Sequence, residues 1–200
     1  AAGPEPDGAR ASMAVLRRRG WKDLLRDTRD ALRSLEQTTG HETLDPLINR
    51  NLLFAYFYSV GRALDDAHYY LVRSRAPWNG RGVTVRDWEA LMWTLPAVQL
   101  SDPPLARELL LRVCELHGYA PGRGEHYFDG TMFAPGFCLE GAAGYAVAVD
   151  RYIRDTNDDP ADPSFPIPFV TANLDFSAEP ELQAQVTAGL LAPTTTVTIG

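Results

Sequence analysis

The chain has 200 residues, 45% of them hydrophobic, which is enough to bury the core of one domain. Its formal net charge is −7 at pH 7, whereas a general nucleic-acid binder would carry a net basic face. No apolar run approaches the roughly 20 residues that span a bilayer, and the first residues contain no apolar segment typical of a secretory signal. These features predict a cytoplasmic protein that binds neither nucleic acid nor membrane.

Cysteine and histidine usage gives no sign of a disulfide framework or a metal centre. The two cysteines, Cys114 and Cys138, form no CxxC motif, so we expect two reduced thiols. The four histidines are scattered, and none belongs to an HxxxH or HExxH pattern. Neither Gly-Arg-Gly segment, at 80–82 or 122–124, has the strand–loop–helix frame of a phosphate-binding loop. The sequence therefore predicts no metal ion and no cofactor.

Hydrophobic spacing predicts two helices in the first third of the chain. Residues 1–12 are rich in Gly, Pro, Ala and charge and are predicted to form a disordered lead. From residue 13 to about 38 the apolar side chains recur with a helical period, and Gly40 is well placed to end that helix. A second helix is predicted over 47–64, and the aromatic run at 65–72 favours a short strand or extended segment.

The third predicted helix begins after Thr84. Thr84 and Asp87 resemble a capping box, in which two side chains satisfy the first backbone N–H groups of a helix. Pro96 is expected to kink or end this helix, because proline has no N–H to donate. The side chains expected in the core repeat at helical spacing and are Trp88, Leu91, Met92 and Leu95, with Trp93 as a further candidate.

Two more helices are predicted on either side of a Gly- and Pro-rich loop over 119–138. The fourth helix has Asp102 as its cap, Pro103 at its first position and Gly118 at its end. The fifth helix is predicted from about 139 to 155, with an inward stripe of apolar residues.

Residues 160–200 follow a different pattern, with four prolines near the start that preclude a long helix there. A short helix is predicted over 179–191, and the last residues are β-prone without an evident partner. Long loops at 73–84 and 119–138 each lead into the N-terminal end of a helix. The predicted fold is therefore all-α, an array of α-hairpins over 13–159 with a functional face, followed by an irregular tail.

The loop over 73–84 is the first candidate for a binding site, because its planar, charged and aromatic side chains are costly to order without a ligand. Trp78 is the tryptophan best placed to stack on a ligand, since it lies outside helical register. Arg86 opposes the helix dipole in a first turn, which mildly favours a specific partner. With Asp87 it offers a planar donor and an acceptor for the vicinal hydroxyls of a sugar, although Asp87 alone fits a capping role.

Glu140 is the candidate for acid–base chemistry, because it opens the fifth helix directly after the loop that contains Asp129. A carboxyl group among apolar neighbours can have a raised pKa and act as a general acid. A glutamate in a first helical turn is also stabilised by the helix dipole, and spacing alone favours this structural role.

Four segments in order resemble the catalytic helical domain of bacterial glycogen-debranching enzymes. They are RSRAPW, VRDWEALMWTLPA, DPPLARELL and HYFDGTMFAPGFCLEGAAGYAVAVDRYIRDTND, and the resemblance covers about residues 49–159. These amylo-α-1,6-glucosidases are distantly related to glucoamylase and trehalase. The resemblance implies an (α/α)₆ toroid that cleaves α-glucans with inversion, using a protonated carboxyl and a second carboxylate that activates water. Because the chain shows about five of the toroid's twelve helices, we expect a partial toroid.

The resemblance also implies an oligo- or polysaccharide substrate, and it places the family's sugar-binding Arg-Asp pair at Arg86 and Asp87. Glu140 matches the general acid, followed here by Gly141 where the family has a second acid. The substrate-binding residues expected on one wall of the pocket are Arg73, Arg75, Trp78, Arg86, Asp87 and Asp129. No general base is evident, so the chain is expected to be weak or inactive as a glucosidase by itself.

The alternative hypothesis is a non-catalytic helical module that binds carbohydrate or a protein partner. A partial toroid leaves apolar helix faces uncovered, and such faces favour self-association. Binding of a maltooligosaccharide would separate a carbohydrate module from a protein-docking one.

Overall fold

The computed structural model describes residues 5–63, 66–76, 80, 82–157, 170–175 and 194–199. The helices are α1 (Pro6–Ser34), α2 (Asp45–Ser59), α3 (Asp87–Glu89), α4 (Leu95–Ser101), α5 (Pro103–His117) and α6 (Leu139–Thr156), with a π-helical turn (Ala90–Thr94) joining α3 to α4. The strands are β1 (Val60–Arg62), β2 (Tyr69–Leu71), β3 (Thr84–Val85), β4 (Arg123–Tyr127), β5 (Met132–Phe137), β6 (Val170–Asp175) and β7 (Thr194–Ile199).

The strands show that the prediction of an all-α partial toroid is wrong, because the fold mixes helices with antiparallel sheets. β1 pairs with β2, β4 lies between β3 and β5, and β6 pairs with β7. The main error lies at 119–138, where the glycines and prolines of the sequence suggest an irregular loop. Gly124 (φ 77°) instead sits at a register shift of the β4–β5 pair, and Gly130 (φ 90°) lies in its turn. Both are conformations that glycine adopts easily.

The two other hairpins also use segments whose partners the sequence did not reveal. The helix predicted over 47–64 ends at Ser59, and the chain turns into β1, which pairs with β2. The strand predicted within 65–72 is therefore confirmed as β2. The β-prone end of the chain forms β7 and has a partner after all, since it pairs with β6. The helix predicted over 179–191 lies outside the described residues.

Helix α1 starts earlier and ends earlier than its hydrophobic pattern predicts. It begins at Pro6, so most of the predicted disordered lead is helical, and it ends at Ser34, well before Gly40. Gly20 has non-helical dihedral angles (φ 77°, ψ 160°) and divides α1 into two halves. None of the described residues of α1 is buried, so this helix contributes nothing to the core.

The start of the third predicted helix is correct, but its cap is not. Thr84 lies in β3, and its hydroxyl donates to Glu125 on the neighbouring strand, so the capping-box interpretation is wrong. Helix α3 begins at Asp87 and continues through the π turn past Pro96 to Ser101. In the π turn the N–H of Leu95 bonds to the carbonyl of Ala90. This wider turn precedes Pro96 and gives its ring room that a regular α-helix lacks.

Helices α5 and α6 confirm the two best-marked predictions. Asp102 Oδ1 accepts the N–H of Leu105 at 3.1 Å and caps α5, which ends at His117 before Gly118. Helix α6 ends at Thr156 and is followed by Asn157 in the left-handed conformation. The core forms between α5, α6 and the α3–α4 helix, and its fully buried members include Leu91, Leu95, Val98, Leu109, Leu110 and Tyr145. Trp93 is 63% exposed, so its predicted place in the core is wrong.

Among the described residues, the helices are all too short or too polar to cross a membrane. Cys114 and Cys138 are both free thiols, as predicted.

Candidate functional site

A cleft of about 420 Å³ lies between the β3–β4–β5 sheet and the N-terminal ends of α3 and α6. One wall comes from the sheet, and the facing wall comes from the segments that lead into the two helices. Charged, aromatic and glycine residues line it together: Arg73, Arg86, Gly122, Gly124, Glu125, Ala134, Pro135, Gly136, Phe137 and Cys138. This lining offers hydrogen-bond donors and acceptors beside one aromatic side chain, Phe137.

Arg73 organises the polar floor of the cleft by contacting two carboxylates. Its Nε lies 2.9 Å from Glu89 Oε2, and its Nη1 lies 3.3 Å from Glu125 Oε1. Glu125 is buried and also accepts the hydroxyl of Thr84. The backbone N–H of Arg73 donates to the carbonyl of Thr84 at 2.6 Å, which ties the loop after β2 to β3. The predicted site residue Arg73 is therefore in the cleft, where it is part of a partly buried ion-pair network.

Glu140 lies in the first turn of α6, next to the cleft residue Cys138. Glu140 Oε2 accepts the thiol of Cys138 at 3.3 Å, and Cys138 Sγ in turn accepts the N–H of Gly141. Glu140 is exposed, and its own backbone N–H, the Cys138 thiol and the charge of Arg86 lower its pKa. This direction is opposite to the raised pKa expected of a general acid. The physical reason is that solvent and a helix N-terminus surround Glu140, in place of apolar side chains.

Asp87 points away from the cleft and into the protein. Its Oδ2 accepts the N–H of Gly122 at 2.7 Å, and its Oδ1 accepts the hydroxyl of Tyr145 at 3.0 Å. The side chain is 2% exposed, and burial raises its pKa to about 6 against the lowering effect of those two donors. Asp87 therefore joins α3 to α6 and to the segment before β4, and it positions the Gly122 wall without touching a bound molecule.

Gly122 and Gly141 allow Asp87 to lie close to the segment before β4 and to the first turn of α6. A Cβ at Gly122 (φ 72°) would lie 2.4 Å from the carbonyl oxygen of Cys138, and one at Gly141 would lie 3.3 Å from the Cβ of Asp87. There is no room at position 141 for an acidic side chain without moving Asp87. This contact gives a physical reason for glycine at position 141.

Two of the remaining predicted site residues, Arg75 and Asp129, do not line the cleft. Arg75 Nη1 donates to the carbonyls of Phe57 and Val60, and its guanidinium lies over the Phe57 ring at 5.5 Å. Asp129 lies in the β4–β5 turn, where its Oδ1 accepts the N–H and hydroxyl of Thr131. These hydrogen bonds lower its pKa. Trp78 lies outside the described residues.

The sequence interpretation missed Glu125 and Phe137, which line the cleft, and Glu89, which supports Arg73. The two cleft residues were assigned to an irregular loop, where no periodicity shows which side chains face together. The available signal was the pair of glycines at 124 and 130, which suits a bulged hairpin and would have placed Glu125 on a strand.

A second polar cluster lies behind the cleft, where the end of α5 packs against β4. The rings of His117 and His126 are 5.3 Å apart and almost fully buried. Nδ1 of His117 and both ring nitrogens of His126 have no hydrogen-bond partner in the described part of the chain. Burial lowers the pKa of both imidazoles, that of His117 to about 4. No group of three metal-ligating side chains occurs among the described residues.

This histidine pair predicts a loss of stability in mild acid. The unfolded chain binds the His117 proton below about pH 6.5, whereas the folded chain resists it until about pH 4. The contribution of neutral His117 to stability is thus present above pH 6.5 and is lost as the pH falls. The free energy of unfolding should drop by about 2 kcal/mol between pH 7.5 and pH 5. We expect His117→Phe to remove this loss in urea unfolding measured at both pH values. The exposed histidine variant His41→Gln should retain it, and an unchanged pH response of His117→Phe would contradict the assignment.

Comparison with known proteins gave no match: no family model, no curated protein and no solved structure is significantly similar to this chain.

Proposed function

We propose that the cleft binds a neutral saccharide of the α-glucan type, and that the chain acts as a carbohydrate-binding element. The observation that carries this proposal is the composition of the cleft. Two arginines, one buried carboxylate and one phenyl ring line the same 420 Å³ space. Guanidinium and carboxylate groups match the alternating donors and acceptors of sugar hydroxyls, and the ring face suits the apolar face of a pyranose.

The charge balance of the cleft favours a neutral ligand over an anionic one. Arg73 is already neutralised by Glu89 and Glu125, which contact its guanidinium directly. Arg86 lies close enough to Glu140 to lower its pKa. A phosphate or carboxylate ligand would have to compete with these internal acids, whereas hydroxyl groups add hydrogen bonds without adding charge.

Binding is a better description than hydrolysis for the described residues, although the glucosidase activity expected from the motif resemblance stays a prediction. Inverting hydrolysis needs a carboxyl that is protonated at neutral pH and reaches the leaving oxygen. Among the described carboxyl groups, Asp87 has a pKa raised to about 6 but is turned away from the cleft. Glu140 stands at the rim with a lowered pKa. A cytoplasmic location likewise stays a prediction.

Calorimetric titration with panose, a trisaccharide containing an α-1,6 linkage, tests the proposal. We expect Arg86→Ala to weaken binding about tenfold or more, because a charged hydrogen bond contributes about 1.5–3 kcal/mol. Arg154→Ala is the matched control, since Arg154 is exposed on α6, pairs with Asp150 and lies outside the cleft. Both variants should retain the unfolding temperature of the original protein.

Three results would count against the proposal. Equal binding by Arg86→Ala and the original chain would remove the cleft from recognition. Preferential binding of an acidic oligosaccharide, such as a uronate trimer, would overturn the neutral class. Release of glucose from a branched dextrin would show that the chain is a hydrolase and would overturn the binding-only assignment.

A further inference from the structure

The β4–β5 hairpin forms most of the sheet wall of the cleft, and two buried polar side chains attach it to the rest of the protein. Glu125 and His126 are 6% and 0% exposed, whereas every residue of β5 is exposed or half-buried. The turn of the hairpin adds an apolar contact, because the half-buried Phe128 meets the Tyr70 ring at 5.4 Å. The attachment of the hairpin therefore depends in large part on polar groups.

Glu125 and His126 act on opposite sides of β4, since successive side chains of a strand point to opposite faces. Glu125 lines the cleft and lies 3.3 Å from Arg73, while the His126 ring lies 5.3 Å from the His117 ring at the end of α5. Buried ring nitrogens of both histidines have no hydrogen-bond partner in the described part of the chain, and each such group costs free energy. A movement of His126 away from α5 would relieve this cost and carry Glu125 out of the cleft.

The base of the hairpin is fixed, and glycines lie just beyond it on both strands. The N–H of Cys138 donates to the carbonyl of Gly122 at 2.8 Å, and the N–H of Gly122 donates to Asp87. Gly124 and Gly136 have positive φ angles of 77° and 146°, so both positions can absorb a change in backbone direction. On its other side, β4 pairs with β3 through two residue pairs. An opening confined to the hairpin therefore breaks few contacts and leaves its base in place.

We propose that mild acid opens this hairpin away from α5, which takes the Glu125 wall out of the cleft and releases a bound saccharide. The release rests on the function proposed above, whereas the opening needs no ligand. In the closed hairpin, burial lowers the pKa of both imidazoles, that of His117 to about 4. In the open hairpin the imidazoles reach water and bind protons below about pH 6.5. The open form binds more protons, so it is favoured as the pH falls, by about thirtyfold between pH 7.5 and pH 5 from His117 alone.

The described groups that face the histidine pair leave this direction unchanged. Asp129 in the β4–β5 turn raises the pKa of His117, but by less than burial lowers it. Hydrogen bonds within the turn lower the pKa of Asp129 itself, so its charge is the same at both pH values. The Tyr119 ring lies 6.4 Å from the nearer imidazole. The residues paired with this strand position on β3 and β5 are Val85 and Met132, which do not ionise.

Hydrogen–deuterium exchange of the full chain at pH 7.5 and pH 5, corrected for intrinsic exchange rates, tests the opening. We expect protection of the amides at 125–127 to fall about thirtyfold or more in acid. Because the opening is local, the amides of Ala148 and Val149 in α6 should remain at least about tenfold better protected at both pH values. Equal protection of the hairpin and α6 at both pH values would show that the whole domain unfolds, and would overturn the proposal. Hairpin protection that does not change with pH would overturn it as well.

His117→Phe should remove most of the acid response of the hairpin, because a phenyl ring binds no proton. His117→Gln, which is also uncharged at both pH values, replaces it if the phenylalanine variant does not fold. His41→Gln is the matched control, since His41 is exposed and lies outside the hairpin, and it should keep the full response. A thirtyfold response retained in the His117 variant would separate the opening from the histidine pair and overturn the proposed cause.

Titration with panose at the same two pH values tests the release. We expect binding about twofold or more weaker at pH 5, because affinity falls with the fraction of closed hairpin, and a smaller change in His117→Phe. Equal affinity at both pH values in a chain whose hairpin opens would overturn the release. Absence of panose binding at pH 7.5 would instead overturn the function proposed above and with it the release of a saccharide, while the exchange result would still decide whether acid opens the hairpin.

Discussion

Replacing Asp87 by alanine should destabilise the protein by about 3 kcal/mol at pH 7, and by more in mild acid. The substitution removes the acceptor of two buried donors, the Gly122 N–H and the Tyr145 hydroxyl. Each donor left unpaired costs about 1–3 kcal/mol, and relief from burying the Asp87 charge offsets part of that cost. Urea unfolding followed by far-UV circular dichroism measures the difference.

The pH dependence of this loss separates Asp87 from an ordinary hydrogen-bonding residue. Its folded-state pKa of about 6 is raised above the reference value of 3.8, so the folded chain binds the proton more tightly than the unfolded chain. The resulting stability is present at low pH and is lost as the pH rises through 6. Asp87→Ala should therefore cost about 1 kcal/mol more at pH 5 than at pH 7.5.

The variant Asp87→Asn is the control for this role. Asp87→Asn keeps an oxygen that can accept one of the two hydrogen bonds, and its amide N–H can donate to the oxygen of the Tyr145 hydroxyl. This variant should therefore recover part of the lost stability. It should also lack the pH dependence, because an amide does not titrate. A loss below about 0.5 kcal/mol for Asp87→Ala would show that the two hydrogen bonds contribute little.

Replacing Arg73 by alanine should cost about 3 kcal/mol and abolish saccharide binding. The guanidinium contacts Glu89 and the buried Glu125, and its removal leaves two carboxylates without their cation. Breaking a fully buried pair costs about 3–5 kcal/mol, and the lower end applies because Arg73 is 24% exposed. Thermal and urea unfolding give the stability, and panose titration gives the binding.

A double-mutant cycle tests the physical cause of this loss. Adding Glu125→Gln to Arg73→Ala removes the uncompensated buried charge, so the double variant should be more stable than Arg73→Ala alone. Arg75→Ala is the matched control two residues away. Arg75 is exposed and contacts only carbonyls and the Phe57 ring among the described residues, so its loss should cost less than about 1 kcal/mol. A destabilisation by Arg75→Ala as large as that by Arg73→Ala would contradict the special role of the Arg73 network.

Helices with both a local cap and an apolar stripe could be predicted from the sequence. Asp102 and Pro103 mark the start of α5 through interactions within a few residues, and α6 buries the stripe that its spacing predicts. Thr84 shows where local signals mislead. Its spacing from Asp87 suits a capping box, yet its hydroxyl reaches Glu125, 41 positions later in the chain.

The candidate site was predicted only in part, because contacts between residues distant in the chain also decide the role of each side chain. Arg73 lies in a loop whose planar and charged side chains indicate a binding site, Arg86 opposes the helix dipole, and both line the cleft. Asp87 was identified by the same motif, but burial decides whether a carboxylate binds a ligand or holds the protein together. For Glu140, the sequence suggests apolar neighbours that would raise its pKa. The side chain is instead exposed at a helix N-terminus, and its pKa is lowered.

The sequence by itself determined helices α5 and α6 and the two free thiols, because each depends on spacing within one segment. Only the tertiary structure decided that the fold contains sheets and that Glu125 lies on the floor of the cleft. Strand pairing joins residues that are distant in the chain, and a short strand next to a glycine has no periodic signal of its own. The tertiary structure also decides the chemistry of the site, because both the charge balance around Arg73 and the orientation of Asp87 arise from long-range contacts.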